Sequence, residues 1–339
     1  MGSVATPERE AAGPVDTGPE PDPRRVPGTR APRSTPAGRL DEARCSVQAR
    51  LRGDSPVATA PPARRWLLVE QPGPWGRDAL LESRFDRRVA SRLSARAREL
   101  GMRVQLVRRA GERLTDSLMR WAVADTRPGM ETVTWSTRSS DAELLDVPWD
   151  GSVGTVSPVP TYLVCTHGAH DVCCAVRGRP LARALDVPGV PADVWETSHL
   201  SGDRFAANVV VLPWGLVYGQ VPQDGGGLVE AHAAGRVVLP LLRGRAGLAP
   251  AAQAAQDHAR RELGLLGVRD LPPRRVRALA SPAPGVDRFD VVLAGPDGDL
   301  LVTVESRLST QAHRLTCAAL NPGHWRSWHP LALRAVAAG

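Results

Sequence analysis

The stretch Thr161-Tyr-Leu-Val-Cys-Thr-His-Gly-Ala-His-Asp-Val-Cys-Cys174 decides how this chain is interpreted. Its first five residues, 161–165, form a short apolar run that is typical of a buried strand. The strand therefore ends on a thiol, and α/β sheets bind ligands at the carboxyl ends of their strands. Two more thiols, Cys173 and Cys174, follow in the same segment. We expect the residues between Cys165 and Cys174 to form a loop that folds back, so that both thiols face one point.

A second polar segment, His199-Leu-Ser-Gly-Asp203, adds an imidazole and a carboxylate. Thiols with such partners are donors for a metal ion or an iron–sulfur cluster. Each residue alone has a plainer interpretation, because free cysteine often serves as a small buried hydrophobe and a lone histidine or aspartate as a hydrogen-bonded polar group. Neighbouring residues rarely point at one ligand, so we expect one of Cys173 and Cys174 to be structural. The histidines between the thiols, His167 and His170, fit a ligand role and a surface role equally well.

The rest of the chain alternates strands and helices, which predicts an α/β protein. Residues 1–40 are rich in Pro, Gly, Arg and Ala without apolar periodicity, so we predict a disordered tail. Residues 41–150 predict an N-terminal α/β domain. It contains a β-α-β unit with parallel strands, made of strands at 65–70 and 102–108 and a helix at about 77–100.

Residues 155–240 predict a second domain with the order β-α-β-β-α, which is compatible with a thioredoxin-like fold. We expect its first helix to begin at Pro180. Its last two strands should form a hairpin around Pro213-Trp-Gly215. Residues 241–339 predict a small α+β extension. Its predicted elements are a helix at 250–263 and strands at 274–280, 289–294 and 300–305.

Composition narrows the classes of function. The net charge is +7 and the pI is about 10.0, but the basic residues are all arginines scattered among acidic ones, so we expect no nucleic-acid partner. Five cysteines, three of them clustered, do not suit a secreted disulfide framework. The chain has neither a signal-peptide pattern nor an apolar stretch of membrane-spanning length, so we expect no membrane partner and a cytoplasmic location.

The quoted segments resemble the sucrase/ferredoxin-like family, whose conserved half is a thioredoxin-like [2Fe–2S] ferredoxin. The resemblance covers roughly residues 40–265. It is specific because several short motifs occur together: Arg65-Trp-Leu-Leu-Val-Glu-Gln-Pro-Gly-Pro-Trp-Gly76, Cys165 to Ala175, Gly178-Arg-Pro180, Trp195-Glu-Thr-Ser-His199, and Arg204-Phe-Ala-Ala-Asn208 running to Tyr218-Gly219.

The resemblance implies a cluster held by two cysteines nine positions apart and two histidines spaced H-x3-H. The cysteine positions correspond to Cys165 and Cys174, and the first histidine position to His199. The second histidine position holds Asp203, which is a departure from the family pattern. A carboxylate is a harder ligand than imidazole and would lower the reduction potential of a cluster.

This departure leaves three outcomes open. Asp203 is the fourth ligand, or another thiol such as Cys173 or Cys317 replaces it, or the cluster is labile or absent. Cys317 is otherwise interpreted as a buried structural thiol. Cys45 lies near the tail, and the sequence reveals no partner for it.

The resemblance implies electron transfer with an unidentified redox partner protein, and an electron carrier rather than a catalyst. Two alternatives remain. One is a thiol–disulfide oxidoreductase that uses Cys165 with Cys173 or Cys174, although the usual C-x-x-C motif is missing. The other is a zinc-bound or metal-free binding module. Sucrase activity is not supported, since glycoside hydrolysis needs a pair of carboxyl groups and spacing singles out no such pair.

Overall fold

A computed structural model describes residues 41–111 and 118–336 of the chain. The predicted tail at 1–40 lies outside these ranges. Five helices are described: α1 Cys45–Arg52, α2 Arg87–Glu99, α3 Val172–Leu185, α4 Leu228–Ala233 and α5 Pro250–Leu263. Short 3-10 turns occupy Ala142–Leu145, Asp203–Phe205 and Leu239–Leu241.

The strands form one large mixed sheet and one small antiparallel sheet. The large sheet contains β1 Arg65–Glu70, β2 Met102–Arg108, β3 Met119–Asp125, β4 Thr132–Arg138, β5 Thr155–Val156, β6 Thr161–Cys165, β7 Asp193–Thr197, β8 Val209–Leu212, β9 Leu216–Tyr218 and β10 Leu242–Arg245. The small sheet contains β11 Pro273–Ala278, β12 Val286–Gly295, β13 Gly298–Leu308 and β14 Arg326–Ala335. The α/β class predicted from the sequence is therefore confirmed.

Two β-α-β units form the centre of the large sheet. Strands β1 and β2 pair in parallel with α2 between them, as predicted. Helix α2 begins at Arg87, about ten residues later than the apolar spacing indicated. The cause is Asp86, whose carboxylate accepts the Arg88 and Val89 backbone N–H groups and caps the helix.

The second unit is β6-α3-β7, again with parallel strands. The prediction of a loop from Cys165 to Cys174 is wrong for its last residues, because α3 already begins at Val172. Asp171 causes this early start by accepting the Cys173 backbone N–H at 2.8 Å as an N-cap. Both neighbouring thiols therefore lie in the first turn of a helix rather than in a loop.

The two units meet inside one continuous sheet. Its strand order is β10-β9-β8-β6-β7-β2-β1-β3-β4-β5. Antiparallel pairing of β2 with β7 joins the two halves at Val107↔Thr197 and Arg108↔Glu196, where the last two side chains also form a 2.7 Å ion pair. From β6 to α4 the structure has the order β-α-β-β-β-α, one strand more than the predicted β-α-β-β-α, and the β8–β9 hairpin occurs where it was predicted. The domain limits and the thioredoxin-like character of residues 155–240 stay predictions.

The C-terminal region packs α5 against the small sheet. Helix α5 and strands β11 to β13 occur where the sequence placed them. Strand β14 was not predicted, because Pro330 interrupts its pattern. The proline is tolerated because β14 is an edge strand whose register with β13 shifts near Pro330. None of the helices in the two described ranges has the length and apolar character needed to cross a membrane.

Candidate metal centre

Two buried thiols meet where β6 ends and α3 begins. Cys165 and Cys174 are each 1% exposed and belong to the core between the sheet and the helix. Gly178, one turn after Cys174, allows this approach. A Cβ atom on Gly178 would lie 2.0 Å from the carbonyl oxygen of Cys165. The helix can therefore pack directly on the end of the strand only because this residue has no side chain.

His199 follows β7 and reaches the same point. Its Nδ1 atom lies 3.0 Å from Asp203 Oδ1, yet it is buried without a well-aligned hydrogen bond to any described residue. Its backbone is held in place, because its carbonyl oxygen accepts from Arg103 at 2.9 Å. An imidazole nitrogen in this position can serve as a metal donor once it has lost its proton.

Asp203 supplies a buried carboxylate at the start of its 3-10 turn. It is 2% exposed, and its Oδ1 accepts the Cys174 S–H at 3.2 Å. Burial alone would raise the pKa of Asp203. The hydrogen bonds and charges of His199, Cys174 and His170 outweigh burial and lower that pKa below its usual value. The side chain is therefore an anion in contact with both the thiol and the imidazole.

The remaining groups also have shifted protonation equilibria. A hydrogen bond from Cys174 lowers the pKa of Cys165 well below the usual thiol value, and the same contact with burial raises the pKa of Cys174. Burial works to lower the pKa of His199, but Asp203 and Cys165 raise it to about 9. Binding a metal here must therefore displace protons from Cys174 and His199.

The donors form two overlapping groups around His199. In one, Cys165 Sγ, Cys174 Sγ and a His199 ring nitrogen all lie within 4.8 Å of one another. In the other, His199, His170 and Asp203 meet the same limit. The four residues that the sequence singled out as candidate ligands are thus brought together at one end of β6 and β7.

The two histidines between the thiols differ in their surroundings. Both ring nitrogens of His167 are engaged: Nδ1 accepts the His199 N–H at 3.3 Å, so Nε2 carries the proton and donates to Gly76 O at 2.6 Å. His170 stacks on His199 with ring centroids 3.6 Å apart, and its Nε2 lies 3.8 Å from Asp203 Oδ2. The His170 side chain is 28% exposed and that of His199 is 24% exposed, so both rings reach solvent. The sequence alone did not distinguish the two.

The proposed substitute thiols, Cys173 and Cys317, are not among the donors grouped around His199. They lie instead with Cys45 and Asp171 in a separate group. The expectation that neighbouring Cys173 and Cys174 point to different places is confirmed. Cys45 does have partners, which the sequence could not reveal because they are far away along the chain.

Arg243 is a buried cation beside the site, and sequence reasoning did not identify it. The residue is 1% exposed and lies on β10. Its guanidinium donates to Ser201 O and Asn208 Oδ1, each at 2.9 Å, and to Thr59 O at 2.6 Å. Burial lowers its pKa to about 9. It therefore ties the loop that contains Asp203 to the segment before β1.

Fold and site together define a mixed α/β protein in which two buried thiols and a buried carboxylate lie next to a partly buried imidazole. A family model described as sucrase/ferredoxin-like matches residues 56–244, which is more than half of the chain. The chain therefore belongs to the sucrase/ferredoxin-like family, as its motifs predicted. The match includes all four candidate ligands and leaves out Cys45 and Cys317. Comparisons with curated proteins and with solved structures found no match.

Proposed function

We propose that this protein is an electron carrier that binds a [2Fe–2S] cluster through Cys165, Cys174, His199 and Asp203. The observation that supports it most is the convergence of two buried thiols and a histidine ring nitrogen, which all lie within 4.8 Å of one another. Thiolate and imidazole are donors that iron–sulfur clusters use. Family membership supports the proposal as well, because the matched region contains all four donors.

The chemistry of the donors suits a redox role. A [2Fe–2S] cluster supplies a one-electron couple, and its potential depends on its ligands and hydrogen bonds. Asp203 is an anion and would favour a lower potential than an imidazole in the same place. His199 and His170 are both partly exposed, and their rings stack with centroids 3.6 Å apart. This exposed pair of rings would be a route for an electron between the site and a docked redox partner protein.

The tight spacing of the donors favours a second candidate, a single zinc ion at the same site. Cys174 Sγ and His199 Nδ1 lie 3.2 and 3.0 Å from Asp203 Oδ1. These separations are close to those around one tetrahedral ion with bonds of about 2.0–2.3 Å. A binuclear cluster separates its two ligand pairs by two irons and bridging sulfides, so the donors would have to move apart to accept it.

The thiol–disulfide oxidoreductase is the weaker alternative. A thiol that attacks a substrate disulfide must be accessible to it. Cys165 and Cys174 are each 1% exposed and lie in the core. Their surroundings suit ligands better than nucleophiles.

Metal analysis of anaerobically purified protein separates these candidates. We expect two irons and two acid-labile sulfides per chain, with visible absorbance that is bleached by dithionite. Cys174→Ser should lose the cluster, and Cys173→Ser is the matched control because the neighbouring thiol belongs to the other group. Stoichiometric zinc at this site with no iron would establish the second candidate instead.

The identity of the fourth ligand has its own test. Asp203→Ala should lose most of the iron, whereas His170→Ala should keep it and slow electron exchange. Asp203→His restores the family's H-x3-H spacing and should keep the cluster while raising its reduction potential. Full iron content in Asp203→Ala, with loss in His170→Ala, would assign the fourth position to His170.

A further inference from the structure

Three cysteines from distant parts of the chain form a compact triangle. Cys45 begins α1, Cys173 lies in the first turn of α3, and Cys317 lies between β13 and β14. The Cys45–Cys173 and Cys45–Cys317 Sγ distances are both 3.5 Å, and the Cys173–Cys317 distance is 3.3 Å. All three are free thiols. Up to 272 residues separate the members of a pair along the chain, so only the folded structure brings these thiols together.

Asp171 completes the group. Its Oδ2 and Oδ1 atoms lie 3.8 and 3.9 Å from Cys45 Sγ. The carboxylate is held in place, because Oδ1 accepts the Cys173 N–H at 2.8 Å and Oδ2 accepts the Cys317 N–H at 2.6 Å. One donor atom from each of the four residues lies within 4.8 Å of all the others. Each carboxylate oxygen keeps a second lone pair for another partner.

The separations match the ligand shell of one small ion. Zinc–sulfur bonds of about 2.3 Å put tetrahedral sulfurs about 3.8 Å apart, and a zinc-bound oxygen about 3.5 Å from each sulfur. The observed sulfur–sulfur distances of 3.3–3.5 Å and the 3.8 Å sulfur–oxygen distance lie near these values. A disulfide would join one pair at about 2.05 Å and leave the third thiol alone. The nearly equal sides of this triangle favour no such pair.

We propose that Cys45, Cys173, Cys317 and Asp171 bind a structural zinc ion. Three thiolates and one carboxylate fill the four positions of a closed tetrahedral site, and closed sites of this kind are structural rather than catalytic. This site is separate from the donors around His199 and does not depend on the function proposed for them. The family match covers Asp171 and Cys173 but begins after Cys45 and ends before Cys317, so two of the four proposed ligands come from outside the matched region.

The charges around the group suit this assignment. Zinc with four anionic ligands carries a net negative charge, which needs cations and hydrogen-bond donors nearby. Arg44, Arg52 and Arg314 line the cavity beside Cys45 and Cys317, and Arg204 interacts electrostatically with Cys45. The Cys45 backbone N–H also points at Cys317 Sγ at 3.4 Å. Such N–H···S contacts stabilise metal-bound thiolates.

The zinc would fasten three segments to one another. It links α1 and the segment before β14 to the first turn of α3. Cys173, one of its ligands, is next to Cys174, which lies in the donor group around His199.

Zinc content and ligand shell test the proposal on the full chain. We expect one zinc per chain in protein purified with zinc present and without chelator. X-ray absorption at the zinc edge should show three sulfurs at about 2.3 Å and one oxygen at about 2.0 Å. The measurement should be made on the wild type and on Cys165→Ser, which keeps only this site. No zinc, a disulfide among the three thiols, or a shell of two sulfurs that vanishes in Cys165→Ser would overturn the proposal.

Two substitutions separate this site from the donors around His199. Cys45→Ser and Cys317→Ser should each lower zinc occupancy by about tenfold or more at a fixed chelator concentration, while iron content is retained. The matched control, Cys165→Ser, should lose iron and keep zinc. Zinc that survives both Cys45→Ser and Cys317→Ser would refute the assignment. Since the wild-type ligand shell is measured independently, the proposal stays testable even if a variant fails to fold.

Discussion

Gly178 controls the distance between the two thiols of the candidate cluster site, so its replacement is a sensitive test of the geometry. In Gly178→Ala the new Cβ would lie 2.0 Å from Cys165 O, and such a contact needs at least 3.0 Å. Helix α3 must therefore retreat by about 1 Å or more. Metal–ligand bond lengths vary by only about 0.2 Å around their normal values, so a helix shift of about 1 Å is large on this scale. Cys174 moves with the helix, so it should no longer bind together with Cys165.

The energy balance predicts a folded protein with a damaged site. Forcing a methyl group into a packed interface costs about 1–3 kcal/mol. Replacing glycine by alanine within a helix stabilises the helix by about 1 kcal/mol, because alanine has the higher helix propensity. The net loss of stability should be about 0–2 kcal/mol, which is small beside the total stability of a folded domain.

Iron and sulfide content, visible absorbance and chemical unfolding should be measured together on Gly178→Ala. We expect a cooperative unfolding transition close to that of the wild type and a loss of most of the cluster. Arg179→Ala changes the exposed neighbouring residue and serves as the control, with both properties retained. A Gly178→Ala protein with full iron content and unchanged absorbance would refute the claim that close packing of α3 on β6 sets the thiol pair.

Two further predictions concern buried groups away from the thiols. The Tyr162 and Tyr218 hydroxyl groups contact the two ring nitrogens of His232 at 3.0 and 2.8 Å. Burial lowers the pKa of His232 to about 4. In the unfolded chain His232 binds a proton with a pKa of about 6.5, whereas in the folded protein it stays neutral down to about pH 4. The stability that this difference affects is therefore complete above about pH 6.5 and is lost as the pH falls toward 4. Between pH 7.5 and 5.0 this loss of stability is about 2 kcal/mol. In denaturant titrations His232→Gln should lack this pH-dependent loss, whereas the control His258→Gln should show it. Equal pH effects in all three proteins would contradict the prediction. Arg243→Met should lower the free energy of unfolding by about 3 kcal/mol or more, because it leaves several buried acceptors, including Asn208 Oδ1, without a donor. A loss below about 1 kcal/mol would show that water replaces the guanidinium.

Local pattern was sufficient to predict much of the fold. Strands at Arg65–Glu70, Met102–Arg108 and Thr161–Cys165 have the bounds expected from their apolar runs, and the helix at Pro250–Leu263 has its expected limits. These elements are visible because their periodicity and end signals lie in adjacent residues. The early start of α3 was missed, because it depends on the Asp171 side chain as a cap rather than on apolar spacing.

The candidate site was predictable only where residues are close together in the sequence. Cys165, Cys174, His199 and Asp203 stood out because they lie within two short segments and match a family pattern. The group of Cys45, Cys173 and Cys317 did not stand out, because its members are separated by 128 to 272 residues. Nothing in one segment indicates which distant segment will pack against it.

The role of Arg243 was hidden for the same reason. An arginine on a short strand is usually exposed at its tip, and the chain contains many arginines. Its burial follows from contacts with Thr59, Ser201 and Asn208, which belong to two other parts of the fold. Only the assembled structure brings these acceptors to one point.

Mössbauer spectroscopy of iron-57-enriched, anaerobically purified protein tests the central claim most directly. One iron of the proposed cluster has two thiolate ligands, Cys165 and Cys174, and the other has His199 and Asp203. We therefore predict two different ferric sites of equal area in the oxidised protein, both lost in Cys174→Ser and both kept in Cys173→Ser. A spectrum without protein-bound iron, or with two identical sites, would contradict the account.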